Sequence, residues 1–265
     1  MTDRKPIVKY SSYTNSIVFP YRIASGLLPD FAAAVKIWHA RKGGNSVVFD
    51  FSNVQKAFAN GMLGIIATAT ELRRQGITVI IKLPKQVEAR RFFLATSWAN
   101  LLDPVLTDNY RHNNKHFARH FSSFEEIPAI INNFMEIIMG HIEMPGDVLA
   151  ALEWSITEIC DNVINHAESK TGGFLQVIAY PQKDLVAFTV ADAGKGILQS
   201  LREGIPTLNN DLEAIQEAIK VGVTRNKDAG QGNGLAGTSR IATMTDGSLD
   251  IGYIDGLWPT IITKE

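Results

Sequence analysis

Cysteine is almost absent: Cys160 stands alone among 265 residues. One thiol cannot form an internal disulfide or a multi-cysteine metal site, and its place among the apolar positions of a helical pattern marks it as a small buried hydrophobe. Neither sign of charge is in excess, with 26 Lys plus Arg against 27 Asp plus Glu and a sequence pI of about 6.6. No long basic run occurs, so a nucleic-acid partner has no electrostatic footprint. Long apolar runs are missing too. The opening MTDRKPIVKYSSYTNSIVFPYR has no signal-peptide h-region, and no segment reaches ~18 consecutive apolar residues. The expectation is a soluble, cytoplasmic protein without a membrane partner. Internal repeats and low-complexity tracts are also lacking.

What is present reads as α/β. A chain of 265 residues is long for one compact domain and comfortable for two, each able to bury a core. In the first half, SVVFDFSNV (46–54) is a β-branched and aromatic run, GMLGIIATATELRRQG (61–76) has helical apolar spacing ending at Gly76, and ITVIIKLP (77–84) reads as a second buried strand. That order predicts a right-handed βαβ crossover. Helices over 27–44 and 85–102 would cover the sheet. The polar, irregular stretch 108–123 reads as a linker between a domain at 1–107 and another at 124–265. The second part begins with two helical segments meeting near Pro145 and Gly146. A hairpin follows (GFLQVIAY, PQKD, LVAFTV), then two glycine-bearing loops flanking a helical stretch, then a strand pair turned at Asp255 and Gly256.

The second part carries the chemistry. In the helix capped at Asp147, Leu149, Leu152, Ile156, Ile159 and Val163 follow the spacing of a buried face. Glu158, Asn162 and His166 recur every four residues and share another face, in a line of about 12 Å. Taken alone, such a line is an ordinary solvated face. Downstream, LVAFTV runs into ADAGKGI, putting Asp192 at a strand end with Gly194 and Gly196 after it. A carboxylate there suits an exocyclic amine, and the glycines let a flat ring approach the main chain. Further on, GQGNGLAGTSRIATM (230–244) is a glycine loop entering a helix, which offers free N–H groups to phosphate oxygens. It lacks the Lys of a Walker A loop, and no strand precedes it closely enough for a dinucleotide fingerprint.

In this order, over about residues 124–265, the three pieces resemble the GHKL (histidine kinase-like, HATPase) family of ATP-binding domains, whose fold is the Bergerat α/β sandwich. Glu158-x-x-x-Asn162-x-x-x-His166 looks like the N box, Asp192-x-Gly194-x-Gly196-Ile197 the G1 box, and Gly232-x-Gly234-Leu235 the G2 box. The resemblance implies ATP and Mg²⁺ as ligands. It implies Asn162 on the metal, Asp192 on the adenine amino group, Gly194, Gly196 and Ile197 around the adenine, and Gly232, Gly234 and Leu235 at the phosphates. Glu158 takes the place of a carboxylate that polarises an attacking water or hydroxyl. His166 would lie near the phosphate tail. The segment 198–231 would be a mobile lid, with Thr224, Arg225 and Lys227 as candidates for the terminal phosphate, and Thr260 would touch the adenine side through water. No phosphoacceptor dimerisation helix precedes the domain, which argues against a classical histidine kinase. Gly237, and the lack of a large second domain, argue against the gyrase and MutL branches.

The first half, over about residues 10–105, resembles a STAS domain, the fold of anti-sigma-factor antagonists. Where phosphorylated members carry a Ser or Thr, this chain has Phe58, Ala59, Asn60 and Gly61, so the resemblance implies an interaction or sensing module and not a substrate of the ATP-binding half. Ser52 reads as a turn residue after a strand. His112, His116 and His120 repeat every four residues, a spacing that could hold a metal on a helix, but the Asn pair and the adjacent Arg and Lys favour a solvated linker. The whole reads as a regulatory protein with a protein partner, nearest the anti-sigma-factor serine kinases, whose members commonly pair as dimers. It either hydrolyses ATP or phosphorylates a partner's hydroxyl. The alternatives are a non-catalytic ATP-dependent switch and a vestigial nucleotide site.

Overall fold

The computed structural model describes residues 7–41, 44–107, 117–220, 234–252 and 261–264. Mixed sheets and helices make an α/β protein, and the chain divides into two compact units, Met1–Ala118 with Ile254–Leu257 and Arg119–Tyr253 with Trp258–Glu265.

In the first unit, β1 (Lys9–Ser11) and β2 (Ser16–Val18) form an antiparallel hairpin, with Asn15 between them in the left-handed region (φ 45°). A short β3 (Arg22–Ile23) leads to α1 (Leu28–Ala40). Then come β4 (Ser46–Asp50), β5 (Lys56–Ala57), α2 (Ala59–Arg74) and β6 (Thr78–Lys82). The main sheet has the order β1-β2-β4-β6, with β2, β4 and β6 parallel. The expected β4–α2–β6 unit is therefore present, since parallel neighbours need a crossover and α2 supplies it. Gly76 (φ 83°) ends α2 in a Schellman turn: its N–H reaches Arg73 O and that of Ile77 reaches Leu72 O.

Two expectations for this unit need correcting. The strand at 77–84 is an edge strand rather than a fully buried one, with Val79 and Ile81 inward and Thr78, Ile80 and Lys82 outward. The helix expected at 85–102 is two, α3 (Val87–Ala95) and α4 (Trp98–Leu102). Thr96 O accepts the N–H of Ala118 and Ser97 turns left-handed (φ 64°), so the helix stops there. The break lets Trp98 meet Phe93 edge-on at 5.4 Å, within an aromatic core where Phe19 and Phe51 stack at 4.3 Å.

The second unit begins at β7 (Arg119–Phe121), a strand lying within the stretch read as linker. Its polar residues Arg119 and His120 are exposed, leaving Phe121 as its one fully buried residue. Next come α5 (Ile127–Met139), α6 (Gly146–Asn165), and the hairpin strands β8 (Gly173–Tyr180) and β9 (Leu185–Asp192). After them stand α7 (Gly196–Arg202), α8 (Asp211–Ala218), α9 (Gly234–Met244), β10 (Leu249–Gly252) and β11 (Ile261–Lys264). The sheet order is β10-β11-β9-β8-β7, antiparallel throughout. Helices α5 and α6 bury Phe134, Ile138, Leu152, Ile156, Ile159 and Val163 against Leu175, Val177, Phe188 and Val190 of that sheet, and Leu149 packs at the edge. The apolar face expected of α6 is the one it buries, with Cys160 fully inside. Its cap differs from expectation. Pro145 holds the N-cap position and Asp147 stands in the first turn, its carboxylate taking the N–H of Val148 at 3.0 Å. A carboxylate in a first turn still favours the helix through the dipole. Among the described residues no helix is long and apolar enough to cross a membrane.

Candidate functional site

Helix α6 carries its polar line away from the core it buries. Glu158 and Asn162 stand half-buried on that line, opposite the first residue of α9. A Cβ on Gly234 would lie 2.7 Å from Glu158 Oε2 and 3.5 Å from Asn162 Nδ2, so the start of α9 stands directly against both side chains. One turn along α9, a Cβ on Gly237 would lie 2.3 Å from Cη2 of Trp154, which precedes Glu158 by one turn. Burial, with the neighbouring charge of Asp161, holds the Glu158 carboxyl above the usual range. Burial raises Asp161 as well. A carboxyl tuned upward in this way is a better proton acceptor near neutral pH than a solvated glutamate.

The line ends at His166, which caps α6 with its N–H on Asn162 O at 2.9 Å. There the helix meets the loop that follows β9. Ala167 O accepts the N–H of Lys195 at 2.8 Å, and a Cβ on Gly194 would lie 2.1 Å from the same oxygen. Asp192, the last residue of β9, is 2% exposed and accepts the N–H of Gly194 at 2.7 Å. Burial pushes its carboxyl up to about 7, against the lowering effect of that hydrogen bond. A buried carboxyl in this state is an acceptor or a donor for a polar ligand edge. Gly196 takes a positive φ (76°) where α7 starts. Ile197 packs against a small cluster of Leu201, Leu208, Ala214 and Ala218, and Leu235 joins that cluster to the main core.

The structure thus brings Glu158 and Asn162 to Gly234, and brings Gly194, whose N–H Asp192 accepts, to Ala167 just past the end of α6. Arg225, Gly232 and Thr260, together with Thr224 and Lys227, lie outside the described residues. So do His112 and His116. His120 is engaged on β7, its Nε2 paired with Thr171 O at 2.7 Å and its ring 5.1 Å from that of Phe174. Among the described residues no cluster of three His, Cys, Asp or Glu could hold a metal ion.

Two further groups, not predicted from the sequence, stand at these contacts. Trp154 extends the polar line by one turn at the same four-residue spacing, a signal that was there to be used. Lys195, inside the Asp-Ala-Gly-Lys-Gly motif, is 9% exposed and bridges Glu168 at 2.7 Å and Glu203, tying the loop after β9 to the end of α6 and to α7. Its partners lie 27 residues before it and 8 after, with no shared periodicity to expose them.

No protein-family model and no curated protein sequence matches the chain. Among solved structures it is similar to a chain of the SiaB–SiaC complex from Pseudomonas aeruginosa, with 13% identity and a TM-score of 0.35, over 56% of this chain and 86% of that one. It is also similar to full-length ShkA, crystallised in complex with AMPPNP, with 16% identity and a TM-score of 0.33, over 89% of this chain and 45% of that one. The chain therefore spans less than half the length of ShkA.

Proposed function

We propose that the second unit is a GHKL-type nucleotide-binding domain, and that the chain is a regulatory protein acting on a protein partner through Mg-ATP. The observation that carries this reading is the paired arrangement around α6: a buried carboxyl, Asp192, beside one end, and a glycine-started helix, α9, against the carboxylate and amide of Glu158 and Asn162. The first element suits a purine amino group and the second a phosphate chain. The donor set fits Mg²⁺, since a side-chain amide oxygen with phosphate oxygens and waters makes an octahedral hard-oxygen shell. Asn162 would hold the ion, which when bound neutralises phosphate charge. Glu158 would take a proton from an attacking water or from a partner's hydroxyl. Gly194, Gly196 and Ile197 would shape the base pocket, Gly232 and Leu235 the phosphate loop, His166 and Arg225 would donate to phosphate, and Thr260 would sit on the base side.

The first unit, with its three parallel strands and covering helices, suits a STAS-like interaction module. At the start of α2, Ala59 and Asn60 stand where a phosphorylated member would carry a hydroxyl, and the neighbouring Phe58 ring lies under the Arg22 guanidinium at 5.1 Å. Pairing into a homodimer and a cytoplasmic location belong to the same reading.

Calorimetric titration with Mg-ATP tests it. Wild type is expected to give binding heat, while Asn162→Ala and Asp192→Ala lose at least tenfold in affinity, about 1.4 kcal/mol. No heat from wild type, or full binding by both variants, refutes the site. Phosphate release and partner labelling against Glu158→Ala then separate an enzyme from the second reading, a switch in which nucleotide binding alone changes partner affinity.

A further inference from the structure

The contact between Trp154 and Gly237 stands outside the three motifs, yet it lies on both elements that build the phosphate end of the site. Trp154, Glu158 and Asn162 follow one another at single-turn spacing on α6, and Gly234 and Gly237 do so on α9. The two rows meet in register. Gly234 is against Glu158 and Asn162, and Gly237 is against the six-membered ring of the indole, where a Cβ would come within 2.3 Å of Cη2 and 2.7 Å of Cζ3. Tryptophan is a costly choice for a helix position that is 39% exposed, and glycine is a poor one inside an eleven-residue helix. Each is accounted for by the other. An indole has two side-chain torsions and a rigid plane, so it fixes the separation of two helices more sharply than a flexible aliphatic chain does.

We propose that Trp154 is a positioning residue: seated on Gly237, it sets the height of α9 over α6 and so the distance from the start of α9 to Glu158 and Asn162. The inference rests on the nucleotide-binding reading given above and deepens it. Its consequence is selective. Asp192 is tied to Gly194, which packs on Ala167 just past the C-terminal end of α6, thirteen residues beyond Trp154, and makes no contact with the indole. Loss of the contact therefore weakens binding of the phosphate chain and leaves binding of the base alone.

The test is a double-mutant cycle on the full chain, reading the affinities of Mg-ATP and of adenosine by calorimetry. Gly237→Ala puts a methyl group into the indole and is expected to lower ATP affinity about tenfold, and Trp154→Ala to do the same, with adenosine affinity held within about twofold in both. In the double variant the new methyl has the space the indole vacated, so its loss in ATP affinity is expected to equal that of Trp154→Ala alone. Trp154→Phe, whose ring stops short of the indole Cη2 and Cζ3, is expected to recover only part of the affinity, more than Trp154→Ala and less than wild type. Additive losses, or a parallel fall in adenosine affinity, would overturn the assignment, as would full ATP affinity in both single variants. If wild type binds neither ligand, the nucleotide-binding reading fails and the inference falls with it; wild-type binding with unaltered variants removes the inference alone.

Discussion

Asp192 concentrates the physical tension of the site in one side chain. Its ordinary value of 3.8 rises to about 7 because the carboxyl is buried, so between those values the folded chain holds a proton that the unfolded chain has released. Stability from this group therefore falls as pH rises from about 4 to about 7 and is level above, a span worth roughly 4 kcal/mol. Asn at this position keeps an oxygen for the Gly194 N–H and has no charge to bury. Urea unfolding of wild type and Asp192→Asn across pH 4.5–8 should show the variant gaining on wild type with rising pH, by a few kcal/mol at the alkaline end. A difference that stays constant with pH would contradict the burial argument. The same variant is expected to lose ATP binding, the usual exchange of stability for function at a buried polar site.

At the scale of elements, α6 is the organiser. One of its faces closes the core of the second unit, the opposite line meets α9, and its end receives the loop after β9. The core face was legible in Leu152, Ile156, Ile159 and Val163, because a period of 3.6 residues is written directly in the chain. The closeness of Gly194 to Ala167 was not. Twenty-seven residues separate them, and a glycine in a loop has many reasons to be there. Gly194→Ala is expected to destabilise the protein by about 3 kcal/mol, since its Cβ would stand 2.1 Å from a backbone oxygen that has no rotamer to move. Chemical denaturation measures this, and a cost below about 0.5 kcal/mol would mean that the loop yields without effort.

Over the whole molecule, two cores divide the labour. The first unit is built on rings, with Phe19, Phe31, Phe49, Phe51, Phe93 and Trp98 all buried, and the candidate site residues in the described structure all belong to the second. Phe51→Ala is expected to cost 3–5 kcal/mol in urea unfolding monitored by circular dichroism. At a temperature where the variant remains folded, its Mg-ATP affinity should stay within about twofold of wild type. A large loss of affinity in the folded variant would place part of the site's support outside the second unit.

By itself the sequence determined the α/β class, the β4–α2–β6 unit and the buried face of α6, because each of these is a local pattern of period or spacing, while the candidates Glu158, Asn162, His166 and Asp192 came from the resemblance that three motifs make when taken in order. The tertiary structure alone decided where α3 stops and α4 begins, that a strand starts at Arg119 within a polar stretch, and which residues oppose one another across the site. These depend on partners distant in the chain: Ala118 on Thr96, Gly234 on Glu158, Gly237 on Trp154 and Lys195 between Glu168 and Glu203. Periodicity fixes which side of a helix is apolar; only packing fixes what the polar side is brought against.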